Sequence, residues 1–388
     1  MTSPGPLDDL LIVDLSRVLA GPYATMVLGD LGARVVKVER PGAGDDSRHI
    51  GPFKASASGE LQSAYFASIN RGKQSIALDL GDADDRAVFD ALLAKADVLI
   101  ENFRPGVMDK LGLGWAALHA RHPRLIYAAT SGFGHTGPDR ARPAYDMIVQ
   151  ALGGIMSVTG WPGGKPTRVG TSIGDITAGL FTVAGILSAL HHRTRTGDGL
   201  FVDVAMLDGQ IAILENAVAR YAVSGIAPGP LGARHPSITP FAAYACSDRP
   251  IVIAAGNDVL FGALAVALEL PELIADARFG SNAARTEHAE ALAAALEARL
   301  ATATAAHWLA RLEAAGLPCA PLNDVAQALA HPQVIARNMA ITTAFPDGTP
   351  LLAAGNPVKL SGYADPPVRA KAPALDEHRA MILRELEL

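Results

Sequence analysis

Between residues 10 and 129, short runs of continuous apolar residues alternate with helix-like segments, and few folds accommodate that alternation. Leu10–Leu15 (Leu-Leu-Ile-Val-Asp-Leu) reads as a strand buried on both faces. Ser16–Pro22 makes a turn, Pro22 opens a helix to about Leu31, Gly32 ends it, and Arg34–Glu39 supplies the next strand. The unit recurs: Ser75–Leu80 and Val98–Glu101 read as strands around a helix Asp84–Lys95, and Leu125–Ala129 as one more strand. Strands alternating with helices imply an α/β fold, a Rossmann-like parallel sheet with helices on both sides.

On such a sheet ligands bind beyond the carboxyl ends of the strands. That directs attention to the loops Ser16–Pro22, Arg40–Arg48, Asn102–Lys110 and Ser131–Pro138. No Gly-x-Gly-x-x-Gly follows the first strand, which disfavours a nicotinamide or flavin dinucleotide. Arg40, Arg48, Arg71, Lys73, Arg104 and Lys110 fall at or near these loops. They form either an ordinary solvated surface or a local rim for phosphate, which guanidinium and ammonium groups bind through charge-assisted hydrogen bonds. The formal net charge of −6 gives no sign of a general polyanion binder, so any anion site is local and nucleic acid is not an expected partner.

The second constraint is Gly170–Gly179 (Gly-Thr-Ser-Ile-Gly-Asp-Ile-Thr-Ala-Gly), with one carboxylate, Asp175, among small residues and an apolar run, Ile176–Leu190, directly after it. Asp175 reads as the N-cap of a buried helix. A second reading makes it a nucleophile, with Gly170, Gly174 and Gly179 clearing the approach of a substrate. The apolar run is shorter than the roughly 20 residues that cross a bilayer and is interrupted by glycine, so it is expected to be a core helix with no membrane partner.

A length of 388 residues with 49% hydrophobic content supports two domains. The expected large α/β domain spans residues 1–223, and Ser224–Gly232 begins a smaller α+β domain at 224–330. In the latter, Phe241–Ala245 and Ile251–Ala255 look like a hairpin, with helices at Phe261–Leu268, Glu287–Thr302 and Ala305–Ala315. Residues 331–388 carry no independent core and are expected to complete the large domain or to pack on a partner subunit. Cys246 and Cys319 match no zinc or redox spacing and are expected to be free thiols. No basic segment leads into an apolar one at the N-terminus, so the expected location is the cytoplasm.

The series of motifs resembles the class III CoA-transferases, which include formyl-CoA transferase, the carnitine CoA-transferase-like proteins and, as a divergent branch, the α-methylacyl-CoA racemases. The carriers are Leu15–Pro22, Lys37–Asp45, Asn70–Leu80, Glu101–Gly106, Tyr145-Asp146, Gly170–Gly179, Thr196–Asp208, Gly316–Pro321 and His331–Met339. Each alone is weak, but in order they span nearly the whole chain.

The resemblance implies that Asp175 is the nucleophile of a CoA transfer through an aspartyl anhydride and an aspartyl-CoA thioester. It also implies an interlocked homodimer, with coenzyme A and its thioesters as substrates and no resident cofactor or metal. Val18, Ala20, Arg40, Leu78, Asn102, Phe103, Lys110 and Met206 fall on CoA-contact positions of the family. Gly81 stands where formyl-CoA transferase has a phosphate-binding lysine, which leaves Lys73 or Arg71 to serve. Leu19 replaces a glutamine of that enzyme and argues against formyl or oxalate chemistry. Ala144-Tyr145-Asp146 replaces the Gly-His-Asp of the racemase branch, so transfer is favoured over racemisation; Tyr145 and Asp146 then either assist catalysis or merely pack and cap. Ala233–Pro240 is similar to a segment of relatives that act on C4–C5 dicarboxylates. There Arg234 or His235 would meet the distal carboxylate of the acceptor, unless the segment is only a turn. Succinyl-CoA is the expected donor. An acyl-CoA racemase or epimerase and an inactive CoA-binding scaffold are the alternatives.

Overall fold

The computed structural model describes residues 5–57 and 59–388. The chain divides into two compact units, one holding the chain up to Met156 with Arg168–Gly225 and Leu329–Leu388, the other Ser157–Thr167 and Ile226–Ala328. The excursion Ser157–Thr167 has no counterpart in the sequence reading.

The first unit is built on a parallel sheet of six strands. Its strands are β1 (Leu11–Asp14), β2 (Arg34–Glu39), the separate short pair β3 (Phe53–Ala55) and β4 (Leu61–Ser63), then β5 (Gln74–Ala77), β6 (Val98–Glu101), β7 (Ile126–Ser131) and β8 (Phe201–Ala205). The sheet order is β5-β2-β1-β6-β7-β8, every pairing parallel, with Val13 level with Val36 and Leu99. Successive side chains of a strand point to opposite faces, and here both faces are apolar. Val13, Val36, Leu99 and Tyr127 pack with Phe89 and Leu92 of the helix Ala83–Lys95. Ile12, Val35, Ile100 and Ile126 pack on the other side with Leu28 of the helix Ala20–Asp30 and with Val183 and Ile186 of the helix Ile173–Thr196. Burial of each such side chain is worth about 1.5–3 kcal/mol, which is why these runs are continuous rather than alternating.

The helix Ile173–Thr196 has 24 residues, longer than the apolar run suggested, and is long and apolar enough by composition to cross a membrane. In this fold it lies on β7, β8 and the helix Ala20–Asp30. Gly197, left-handed at φ 87°, ends it. The first helix begins at Ala20, two residues ahead of Pro22.

The second unit carries an antiparallel sheet of β9 (Phe241–Tyr244), β10 (Ile251–Ala254) and β11 (Cys319–Pro321). The hairpin is as expected, but Cys319–Pro321 pairs with it as a third strand. Its helices include Asp258–Ala267, Asn282–Glu287, Ala289–Leu300 and Ala305–Ala314; His288 breaks the segment read as one helix from Glu287 to Thr302. Trp308 fills the core with Leu292, Leu296 and Phe261, and its indole N–H reaches Leu300 O at 2.8 Å.

The C-terminal segment returns to the first unit. After the hairpin β12 (Ala340–Ala344) and β13 (Pro350–Ala354), it covers the exposed edge of the large sheet. The Ala77 amide donates to Asp376 Oδ1 at 2.7 Å and the Ser75 amide to His378 Nδ1 at 3.2 Å; Arg379 donates to Ala77 O at 2.6 Å. The open hydrogen-bonding groups of β5 are thereby satisfied by the last turns of the chain.

Candidate active site

Asp175 occupies the first turn of Ile173–Thr196, three residues after Ser172, so it is not the N-cap that the sequence suggested. A helix N-terminus favours a negative charge, yet burial, and after it the charge of Asp146, push the Asp175 carboxyl up to about 7. The side chain is half-buried, and among the described residues no hydrogen bond or ion pair engages its oxygens.

Asp146 begins the helix Asp146–Leu152 and is buried. Its Oδ1 accepts the Gly174 amide at 2.8 Å, its Oδ2 accepts Gln150 Nε2 at 2.8 Å, and Arg168 stands 3.7 Å away. Asp146 therefore caps the catalytic-candidate helix, a task the sequence gave to Asp175. Tyr145 is 75% exposed and contributes no contact to this cluster. Two of the three glycines of this stretch are packed too closely for a side chain. A Cβ on Gly174 would lie 2.7 Å from Val149 Cγ2, and one on Gly179 would lie 2.8 Å from Ala20 O; Gly170 faces open space.

Tyr65, on the helix Ala64–Ile69, gave no signal in the sequence. Burial first, then the negative charges of Asp175, Asp45 and Asp146, push its hydroxyl up to about 12. It thus feels the charge of all three carboxylates, one of which, Asp45, lines a cavity beyond the carboxyl ends of β1, β2, β5 and β6. That cavity, about 450 Å³, is lined by Arg17, Arg40, Asp45, Leu78, Phe103 and Val107, among others. Three of the CoA-contact candidates, Arg40, Leu78 and Phe103, meet here, as does Gly81. Asn102 lies beside it, but its amide is engaged by the loop: Oδ1 accepts the Arg17 amide and Nδ2 donates to Arg17 O, each at 2.7 Å. Ala20 is buried, and Met206 packs with Val149 and Ala178 in a small core of its own. Val18 is left-handed, at φ 65°.

The basic residues separate sharply. Lys73 is 3% exposed and spends its ammonium on Asp14 Oδ2 at 3.1 Å, Pro22 O at 3.0 Å and Asn70 Oδ1 at 2.8 Å. Burial pushes it down to about 8 in spite of Asp14. Arg71 is equally buried, paired with Asp30 at 2.6 Å, and Arg48 is paired with Glu39 at 2.8 Å. Both residues offered in place of the lysine missing at Gly81 are thus engaged inside the protein. Arg40 and Arg17 share Asp46, at 2.7 and 3.2 Å, while Arg104 and Lys110 are exposed and unpaired among the described residues. Arg17 and Arg40 therefore line the cavity, whereas Arg104 lines a separate one with Glu101 and Tyr127; Arg17 was missed because it reads as an ordinary turn residue.

In the second unit, His235 stacks on Phe241 with ring centroids 5.3 Å apart, and its Nδ1 accepts the Ser237 amide at 3.1 Å. Arg234 is half-buried, with no acceptor for its guanidinium among the described residues. The loop is held by Arg285, fully buried, which donates to Thr239 O and Asp258 Oδ1, both at 2.8 Å, and by Asn282, whose Oδ1 accepts the Thr239 amide at 3.1 Å.

The model of CoA-transferase family III matches residues 7–379. The chain is 50% identical over 382 residues to the acetyl-CoA:oxalate CoA-transferase of Acetobacter aceti, covering 98% of this chain and 96% of that one. It is 40% identical to the succinyl-CoA:mesaconate CoA-transferase of Haloarcula hispanica, with 98% and 96% covered. Among solved structures, a CAIB/BAIF family protein from Brucella suis superimposes with a TM-score of 0.86 at 43% identity, over 98% of this chain and 99% of that one.

Proposed function

The chain belongs to CoA-transferase family III, an enzyme that moves CoA between an acyl-CoA and a carboxylic acid, and from that premise we propose that Asp175 carries the acyl and CoA groups in turn. The observation that supports this is its half-buried carboxyl, unengaged by any neighbour and poised near neutrality at a helix N-terminus. The ionised oxygen attacks the thioester carbonyl; the C–S bond breaks and CoA leaves as thiolate from an aspartyl anhydride. The thiolate then attacks the aspartyl carbonyl and releases the donor acid, leaving Asp175 as a CoA thioester. The acceptor carboxylate repeats the sequence in reverse and regenerates Asp175. A carboxylate is a weak nucleophile, so binding energy from the remote nucleotide must be used at the reacting carbon, and water must be kept from the anhydride.

CoA is proposed to bind in the cavity at Arg40, Leu78 and Phe103, past the loop of Val18, Ala20 and Asn102, with Lys110 at the phosphate rim. Lys73 takes no part in that contact, because its ammonium is consumed by Asp14. Asp146 holds the Asp175 helix and sets its charge beside Asp175; Tyr145, exposed and with no side-chain hydrogen bond among the described residues, is the weaker candidate.

The proposed donor is succinyl-CoA and the acceptor a short dicarboxylate, met by Arg234 or His235, since Arg234 has no internal counter-ion. A second reading, acetyl-CoA with oxalate, draws on the Acetobacter aceti relative and its higher identity. Assay of succinyl-CoA and acetyl-CoA against oxalate, mesaconate and glutarate separates the two. Hydroxylamine trapping should modify Asp175. If Asp175→Ala transfers CoA as fast as the parent, or if the α-proton of an acyl-CoA exchanges without an acceptor acid, the reading is wrong.

We further propose a homodimer in the cytoplasm. Leu180 and Phe181 of Ile173–Thr196, Ile148 and Leu152 of Asp146–Leu152, and Ile211 and Tyr221 just beyond are exposed on neighbouring helices, an apolar face that fits a second copy.

A further inference from the structure

Among the described non-glycine residues with a left-handed backbone, Val18 is the one with a β-branched side chain; the others are Glu269, Asn338, Asp376 and Glu387. Valine in this region is a steric outlier, whereas asparagine and aspartate visit it readily. Such a residue persists only where its surroundings over-determine it, and such places cluster at functional sites.

Two side chains from different loops supply that constraint. Asp45 Oδ1 accepts the Val18 amide at 3.1 Å. One residue earlier, Asn102 grips both backbone groups of Arg17. Each gripping residue is itself fixed. Asp45 is 1% exposed; Ser47 donates to it through N and Oγ, each at 2.8 Å, and Lys37 Nζ lies 2.8 Å from its Oδ2. Lys37 also donates to Ser16 O at 2.8 Å, so the ion pair holds the loop at a second point. Beside Asn102, Glu101 Oε2 accepts the Phe103 amide at 2.6 Å.

The loop so held connects two parts of the candidate site. Ser16 and Arg17 line the cavity, and the chain then enters the helix Ala20–Asp30, against whose first carbonyl Gly179, four residues past Asp175, is packed without room for a Cβ. We propose that Asp45 and Asn102 are positioning residues that hold Val18 in its strained conformation, so that the Arg17–Ala20 backbone is already shaped to receive the acyl-CoA. This rests on the CoA-transferase reading above. A relaxed loop would have to be reshaped at each binding event, which lowers apparent affinity by the fraction of molecules already competent.

The test uses strain relief. Asp45→Ala, which removes the acceptor of the Val18 amide, and Asn102→Asp, which removes the donor to Arg17 O, are each made with Val18 and with Val18→Gly, because glycine occupies φ near 65° without penalty. CoA affinity is measured by calorimetry, alongside KM and kcat with succinyl-CoA and acetyl-CoA and the melting temperature. Each single variant is expected to weaken CoA binding about tenfold, some 1.4 kcal/mol, and to raise KM more than it lowers kcat. Val18→Gly should bring affinity back to within about threefold in both backgrounds. A role in folding alone would lower the melting temperature without that rescue. Should Asp45→Ala not fold, the half-buried Asn102→Asp pair decides. Unchanged CoA affinity in the single variants, or a defect that Val18→Gly leaves in place, overturns the proposal. Asp175→Ala in parallel keeps the two readings apart: full transfer by that variant sinks the nucleophile while leaving the CoA-affinity result standing.

Discussion

Asp146 Oδ1 accepts the Gly174 amide at 2.8 Å, one residue before Asp175, so two carboxylates share one helix N-terminus with unequal support. Asp146 also receives Gln150 Nε2, whereas Asp175 receives nothing. One carboxylate is therefore held by hydrogen bonds, and the other is left without them and pushed up to about 7, first by burial and then by the charge of Asp146.

The activity should rise with pH through about 7, because only the ionised Asp175 attacks. Asp146→Asn keeps an oxygen for the Gly174 amide and removes the neighbouring charge. The acid limb of kcat/KM is then expected to move to lower pH. The move should be smaller than the whole displacement from the ordinary 3.8, since burial is the larger cause. A limb that stays in place would mean that Asp146 has no electrostatic part in the site.

The same displacement has a stability sign. A carboxyl raised from 3.8 to about 7 on folding adds nothing adverse well below 3.8, where it is protonated in both states. Stability is lost as pH rises between those values, because the unfolded chain ionises more easily, and the loss is complete above about 7. Asp175→Asn should thus be more stable than the parent at pH 8, by on the order of 1 kcal/mol after solvent screening, and equal to it at about pH 2.5. Urea unfolding at the two pH values checks this.

Much of the fold was legible because buried parallel strands write continuous apolar runs: β1, β2 and β6 begin and end close to where Leu10–Leu15, Arg34–Glu39 and Val98–Glu101 placed them. The partners of buried charges were not legible. Lys73 looked like any loop lysine, and only the fold brings Asp14 to it across 59 positions of sequence. Tyr65 was invisible for the same reason, since its neighbours Asp45, Asp146 and Asp175 come from three distant segments. The glycine frame of Asp175 was visible, but its reason was not: close approach of Val149 and Ala20 is a tertiary fact.

That close approach predicts the cost of a methyl group. Alanine is the better helix former by about 0.8–1 kcal/mol, so Gly174→Ala would stabilise an isolated helix. Here the added carbon would meet Val149 Cγ2 at 2.7 Å and Asp146 Oδ1 at 3.0 Å. Overpacking of about 1–3 kcal/mol should win, and the melting temperature should fall; a rise would show that the helix Asp146–Leu152 yields freely.

Lys73 and Lys110 offer the sharpest contrast, since they look alike in the sequence. Lys73→Met leaves Asp14 buried at 0% exposure with its pair broken. Burial works against the Asp14 carboxylate, and Lys73 is the first of the groups that hold it below its ordinary range; Lys37, Ser16 and Thr25 remain. Even so, loss of one partner of a buried pair costs about 3–5 kcal/mol, and the variant should unfold at much lower urea. Lys110→Ala removes an exposed side chain with no partner among the described residues, so stability should change by less than about 0.5 kcal/mol. If Lys110 meets a CoA phosphate, its loss should instead weaken CoA binding and flatten the dependence of affinity on salt, since exposed charges are screened within about 8–10 Å at physiological ionic strength. Equal stability losses in the two variants would contradict the burial of Lys73, and an unchanged salt dependence would remove Lys110 from the rim.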